Sequence, residues 1–289
     1  MPLTPENKAL SALINLLDEP DEKAFDLVRS SILQFGTDAV PQLEKLLENS
    51  FDPLVQGRIE GIIKIIRKEN FYVDFVNWVN LGSSDLLKGY LLVTQTQYPE
   101  LQEEEIRIRI EQMKMDIWLE LNENLTALEN VKVVNHILYG IHHFDGNKAN
   151  LNAPDSFYLN NLLETRKGSH IALGILYIVL AQKLGLPVYG VNLPQHFILA
   201  YLTDFGLSHP GEEDVLFYIN PFNKGTVFTR REIELFVRQM KMKPESAFFA
   251  PCTNLEIIER LIRNLIHTYT QRANTEKIED LDNLLKAFE

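Results

Sequence analysis

Residues 165–202 read TRKGSHIALGILYIVLAQKLGLPVYGVNLPQHFILAYL, and the order of elements in this run decides the fold. Gly168, Ser169 and His170 head an apolar stretch that reads as a helix from about 169 to 184, stopped by Gly185. Two β-rich runs follow, PVYGVNL (187–193) and HFILAYL (196–202), with the Pro194–Gln195 step between them and His196 entering the second. A third run, VLFYINPF (215–222), comes after the loop HPGEED (209–214). One apolar helix leading into short successive strands predicts an α+β core, a helix packed on an antiparallel sheet.

Upstream, the period is helical. Leu10, Leu13, Ile14 and Leu17 share one face, and Phe25, Val28 and Ile32 another, ending at Gly36. Val40, Leu43, Leu46 and Leu47 repeat the pattern, as do Ile59, Ile62, Ile63 and Ile66. Shifted by about thirty residues, LINLLDEPDEKAFDLVRSSIL lies over QLEKLLENSFDPLVQGRIEGII. Such stacked helix pairs resemble HEAT repeats, with Pro41 opening the second helix of a pair. Further helices are expected over 84–98, 101–125, 129–141 and 156–164, with HHFDGNKANLNAPDS (142–156) as a polar loop. Downstream, 231–242 and 254–270 return to helix, the latter opened by a Thr253–Glu256 capping box, with Leu255, Ile258, Leu261, Ile262 and Leu265 on its apolar face. The expected organisation is a HEAT-like helical segment (1–70), a helical bundle segment (71–128), the mixed core (129–230) and C-terminal helices packing on that core (231–289).

The chain's 289 residues carry 40 acidic and 28 basic side chains, a net charge of −12, which argues against a phosphate backbone as partner. Basic residues cluster in RREIELFVRQMKMK (230–243), but the acids between them suit a solvated helix face. Cys252 is the single cysteine, so an intrachain disulfide is ruled out and a reducing compartment fits. The N-terminus lacks the pattern of a signal peptide, and no window approaches the roughly 20 apolar residues of a membrane span. A soluble cytoplasmic protein with neither a nucleic-acid nor a membrane partner is expected. No GxGxxG, P-loop, paired CxxC or HExxH motif occurs, so nucleotide and zinc-hydrolase readings lack support.

A helix N-terminus facing an antiparallel sheet can build a thiolate site. The dipole and free N–H groups stabilise the anion, a strand histidine acts as base, and a carboxylate or amide on the next strand fixes its tautomer. Here the same order is His170 at the helix start, His196 entering a strand, and Asn220 ending the next strand before Pro221. Ser169 could serve as a displaced nucleophile, but it points about 100° away round the helix. His170 could simply cap its helix. Cys252, just ahead of a helix start, could have a lowered pKa or be a small buried apolar residue. His142 and His143 read as solvent-facing turn residues or as a wall of the cleft, and count with Ser169 and Gln195 as candidate binding residues. His170 and His196 could share a metal, but no acid or cysteine at matching spacing completes a set, so neither metal nor cofactor is expected.

DSFYLNNLLETRKG, GILYIVLAQKLGLPVYGVNLPQHFILAY, INPFNKG and TNLEIIERLIRNL together resemble the transglutaminase-like superfamily, in particular its bacterial SirB-type branch, over about residues 70–270. The resemblance implies a papain-like core. It places His170 where members usually carry the cysteine, His196 at the histidine, and Asn220 where an aspartate is common. A triad without its thiol implies a non-catalytic protein that binds a protein or peptide partner through a vestigial cleft or a helical face. A cysteine-independent hydrolase or acyltransferase using His196, and a structural scaffold, are the two other readings.

Overall fold

Apolar residues at three- and four-residue spacing fold the N-terminal region as helices. These are α1 (Pro5–Ile14), α2 (Glu22–Leu33), α3 (Val40–Asn49) and the long α4 (Pro53–Asn80). The structure, a computed structural model, describes residues 5–150, 153–203 and 211–289. The chain divides into two compact units, Met1–Val76 and Asn77–Glu289, and α4 spans the boundary.

In the first unit, Asp21 caps α2 by accepting from the Lys23 N–H, and Pro41 stands in the first turn of α3, where its missing N–H costs nothing. Leu10, Leu17, Ile32, Leu43, Ile59 and Ile62 make a dry core. Arg58 is buried beside it. Its guanidinium donates to the Leu17 and Glu19 carbonyls and to Glu22 Oε1, at 2.9, 2.7 and 2.8 Å, and lies 4.0 Å from the centre of the Phe25 ring. Arg58→Met would leave two carbonyls without their donor, and we expect a loss of about 2–4 kcal/mol. Urea unfolding checks this, and an unchanged midpoint would contradict it.

The second unit opens with α5 (Leu86–Gln95), capped by Asp85, then α6 (Glu103–Trp118) and α7 (Ala127–Asn135), which runs into a π turn, His136–Ile141. Two-residue strands β1 (Asp145–Gly146) and β2 (Lys167–Gly168) pair in parallel, flanking α8 (Leu159–Thr165). Next comes α9 (His170–Lys183), followed by β3 (Val188–Val191), β4 (Ile198–Leu202), β5 (Val215–Asn220) and β6 (Thr226–Phe228). These four form one antiparallel sheet in chain order. Finally α10 (Arg230–Gln239), α11 (Asn254–Gln271) and α12 (Thr275–Leu285) close the chain. The α+β class is the one observed. α9 is buried on nearly every side from Ile171 to Ala181 and packs against β3, β4, α5 and α11, which makes it the centre of the unit.

Several boundaries differ from expectation. The helix expected to 125 ends at Trp118, because the Asn122 side chain accepts from the Asn124 N–H and Thr126 starts a new capping box. The expected loop 142–156 contains β1, and its residues 151 and 152 lie outside the described residues, as do 209 and 210 of the HPGEED loop. On α11, Ile257 is buried and Leu255 only half-buried, so the apolar face is rotated from the one read. Neither β6 nor α12 is evident from the sequence.

Candidate functional site

The N-terminus of α9 sets the first side chain. Ser169 caps the helix, its Oγ accepting from the Ala172 N–H at 3.3 Å while its own N–H donates to the Ser156 carbonyl at 2.8 Å. The hydroxyl is buried in that role, and the cap is Ser169 rather than His170. His170 is the first helical residue.

The second side chain is set by a tight turn. The His196 N–H donates to the Leu193 carbonyl at 3.1 Å, with Pro194 and Gln195 between them. Pro194 pre-sets one φ, and Gln195 takes φ +60, the geometry of a type II turn. Glycine usually fills that position, so a glutamine there stores strain of about 1 kcal/mol. Phe197, the next residue, packs its ring against α9 and β3. A Cβ on Gly174 of α9 or on Gly190 of β3 would lie 2.6 Å from its ring, so both must be glycine for the ring to fit. His196 stands in this turn, two residues ahead of β4, rather than within a strand.

These supports bring the two rings together. His170 Nε2 and His196 Nδ1 are 3.2 Å apart, one donating to the other, with the rings edge-on at 76°. Phe222 stacks on His170, centroids 3.9 Å apart and planes 14° from parallel. Phe236 of α10 meets the His196 ring edge-to-face at 5.1 Å. Burial holds the His170 imidazole down to about 4, assisted by His196 and by the positive charge of Arg260. Burial, and then Arg260, also lower His196. Both rings are therefore neutral near pH 7, which is consistent with the N–H···N bond between them. The mutual hydrogen bond uses one nitrogen of each ring, His170 Nε2 and His196 Nδ1, and leaves His170 Nδ1 and His196 Nε2 outside it.

Asn220 ends β5, the neighbour of β4, but it does not orient an imidazole. Its Oδ1 accepts from the Phe222 and Asn223 N–H groups at 3.1 and 3.2 Å. It thereby shapes the Pro221–Asn223 turn that carries Phe222 over His170. Tyr139 supports the same turn, donating to the Pro221 carbonyl at 2.9 Å, and Gly146 lies where a Cβ would strike the Phe222 ring.

The other candidates lie elsewhere. His142 pairs with Asp116 at 2.8 Å and is half-buried, while His143 is exposed with φ +58. Neither makes a hydrogen bond or ring contact with the pair among the described residues. Cys252 bridges the edge of β3, its N–H donating to the Gly190 carbonyl at 2.8 Å. Burial, with Glu256 adding to it, pushes the thiol up to about 12, the opposite of activation by the helix start. It lines a depression of about 500 Å³ with Gln182, Leu186, Pro187 and Tyr189, which touches neither histidine of the pair. No three His, Cys, Asp or Glu side chains among the described residues cluster as metal ligands.

Sequence reasoning missed Phe222, Phe236, Tyr139 and Arg260. Arg260 had one readable signal, its place beside Ile257 and Leu261 on the apolar stripe of α11.

A family model described as the transglutaminase-like superfamily matches residues 104–263. A UPF0162 protein of Xylella fastidiosa (strain Temecula1) is 26% identical over 211 residues, 69% of this chain and 71% of that one. A UPF0162 protein of Vibrio cholerae is 25% identical over 158 residues, 55% of each chain. F-box only protein 21 of Homo sapiens is 28% identical over 133 residues, 46% of this chain and 20% of that protein. No solved structure matches.

Proposed function

This chain belongs to the transglutaminase-like superfamily, and from that premise we propose that it is a non-catalytic member that binds a protein or peptide partner. The observation that carries this reading is the 3.2 Å bond between His170 and His196. The side chain at the nucleophile's position is a neutral imidazole that occupies one nitrogen of the would-be base. The nearest hydroxyl in sequence, Ser169, is engaged as a helix cap, and the one thiol lies at the edge of β3 with its proton held tightly. Acyl transfer needs a nucleophile beside its base, and the side chain beside His196 is the His170 imidazole, neither a thiol nor a hydroxyl.

Partner binding is supported by an apolar stripe along α6 and its C-cap. Ile108, Met115 and Leu119, at the heptad-like steps i, i+7 and i+11, are 58, 45 and 71% exposed, with Trp118 beside them at 57%. The first helices, read as short HEAT-like repeats of a SirB-type protein, would add a second helical face. No helix among the described residues is long and apolar enough to cross a membrane, and the cytoplasm is the proposed location.

The test uses the full chain as bait in extracts of its own source cell. Met115→Glu with Leu119→Glu would place charge on the helical face, and His196→Ala would open the histidine pair. A partner retained by the native chain and lost from one of these variants is the expected result. A partner retained equally by all three proteins, or none captured by the native chain, would contradict the binding role.

A further inference from the structure

We infer that Arg260 is the positioning residue of the histidine pair, clamping the Leu193–His196 turn from α11 and so fixing where the His196 ring stands. The clamp serves the pair whether it binds or reacts, and so does not depend on the function proposed above. The guanidinium makes three hydrogen bonds, all to this one turn and the residue before it. Nη2 donates to the Leu193 carbonyl at 2.9 Å and to the His196 carbonyl at 2.8 Å, and Nη1 donates to Asn192 Oδ1 at 3.1 Å.

Two points set this apart from ordinary packing. First, Arg260 is half-buried and has no carboxylate within ion-pair distance among the described residues, so its charge is met by carbonyl and amide oxygens and by the Phe197 ring, 5.9 Å away. Withdrawing a cation from water without a counter-ion is costly, and only well-formed charge-assisted bonds offset it. Second, one nitrogen donates to the carbonyls of both ends of the turn. Leu193 O also accepts from the His196 N–H, and the turn, with Gln195 at φ +60, presents both carbonyls to Nη2. The clamp and the strained glutamine thus hold each other. Asn220, at the position where an aspartate would orient the ring, shapes the neighbouring turn, and orientation comes instead from the backbone side through Arg260.

The clamp also has an electrostatic consequence. The titratable or charged groups acting on the pair are His196, on His170, and Arg260, on both; its neighbours Phe222 and Phe236 are neutral. After burial, Arg260 is the cause that keeps His196 uncharged.

Two variants separate geometry from charge. The readouts are the His196 titration midpoint by NMR of the ring Cε1–H and hydrogen exchange of the His196 amide. Arg260→Met removes both clamp and charge. The midpoint should rise by about half to one pH unit, and the amide should exchange at least ~10-fold faster. Arg260→Lys keeps a positive charge but has no fork to hold two carbonyls. Its amide should also exchange faster, with the midpoint close to native. A purely structural arginine would not move the two readouts separately. Native-like exchange and midpoint in Arg260→Met would overturn the inference. If that variant fails to fold, native-like amide exchange in Arg260→Lys would overturn it equally, and accelerated exchange would support it.

Discussion

Replacing His170 by cysteine should give the chain a fast-alkylating thiol. The new sulfur would stand at the first position of a 14-residue helix, where the dipole and unpaired N–H groups favour an anion. His196, which now spends Nδ1 on His170, would be released to pair with it. A cysteine is shorter than the histidine it replaces, so His196 must turn toward it, into the space the imidazole leaves beside Phe222. Cys252 supplies the internal reference. Its thiol is pushed up to about 12, so almost none of it is thiolate at neutral pH. Carbamidomethylation of the His170→Cys variant by iodoacetamide at pH 7 should favour the introduced thiol over Cys252 by at least ~100-fold. In His170→Cys combined with His196→Ala, the apparent pKa of the new thiol should rise. Identical rate–pH profiles for the two variants would mean that His196 does not face the position, and the substituted-triad reading would fail.

The second large effect is a pH-dependent loss of stability. His170 is held down to about 4 in the folded chain against about 6.5 for a free histidine. Between those values the unfolded chain binds the extra proton, so stability attributable to this ring falls as pH drops from about 6.5 to about 4 and is constant above that window. His196 is shifted in the same direction and adds to the slope. His170→Phe keeps a ring to stack on Phe222 and removes the titration. Relative to that variant, the native chain should lose about 2 kcal/mol between pH 7 and pH 4.5, a figure reduced for the partial exposure of the ring. Carboxylates titrate in both proteins and cancel in the difference. Trp78 and Trp118, the two tryptophans of the chain, both lie in the second unit, so urea unfolding followed by tryptophan fluorescence reports on the unit that holds the pair. Parallel stability–pH curves would show that the ring is not held neutral.

Much of the second unit was legible because its elements are strongly patterned. The buried run of α9 is bracketed by Gly168 and by Gly185 at φ +75, and the capping box at Thr253 and Glu256 forms as read. The strands from Val188 to Asn220 follow from β-branched and aromatic runs cut by Pro and by acidic turns. The elements missed are the ones with little pattern of their own. β6 is three residues long and depends on Tyr218, Ile219 and Asn220 for its pairing. β1 is two residues inside a polar loop and exists through β2.

The site shows the same division. The approach of His170 and His196 follows from their positions at the head of a helix and at the turn into a strand. Phe222 sits inside a quoted motif but gave no sign of stacking, because its place depends on Asn220 capping the turn and Gly146 leaving space. Arg260 lies 64 residues from the carbonyl of His196 it holds, a separation that no local period can encode. Cys252 was ambiguous for a related reason: a position before a helix favours a thiolate, but burial in the bridge to Gly190 overrides it.

If the imidazole of His170 fills the nucleophile's position, the site is without acyl-transfer chemistry. Incorporation of a primary amine into a casein-like acceptor by the native chain checks this, with protease activity on the same substrate followed in parallel. Neither activity should exceed that of the His170→Ala, His196→Ala double variant. Amine incorporation by the native chain that disappears on removing His196 alone would contradict the account and make the pair a catalytic centre.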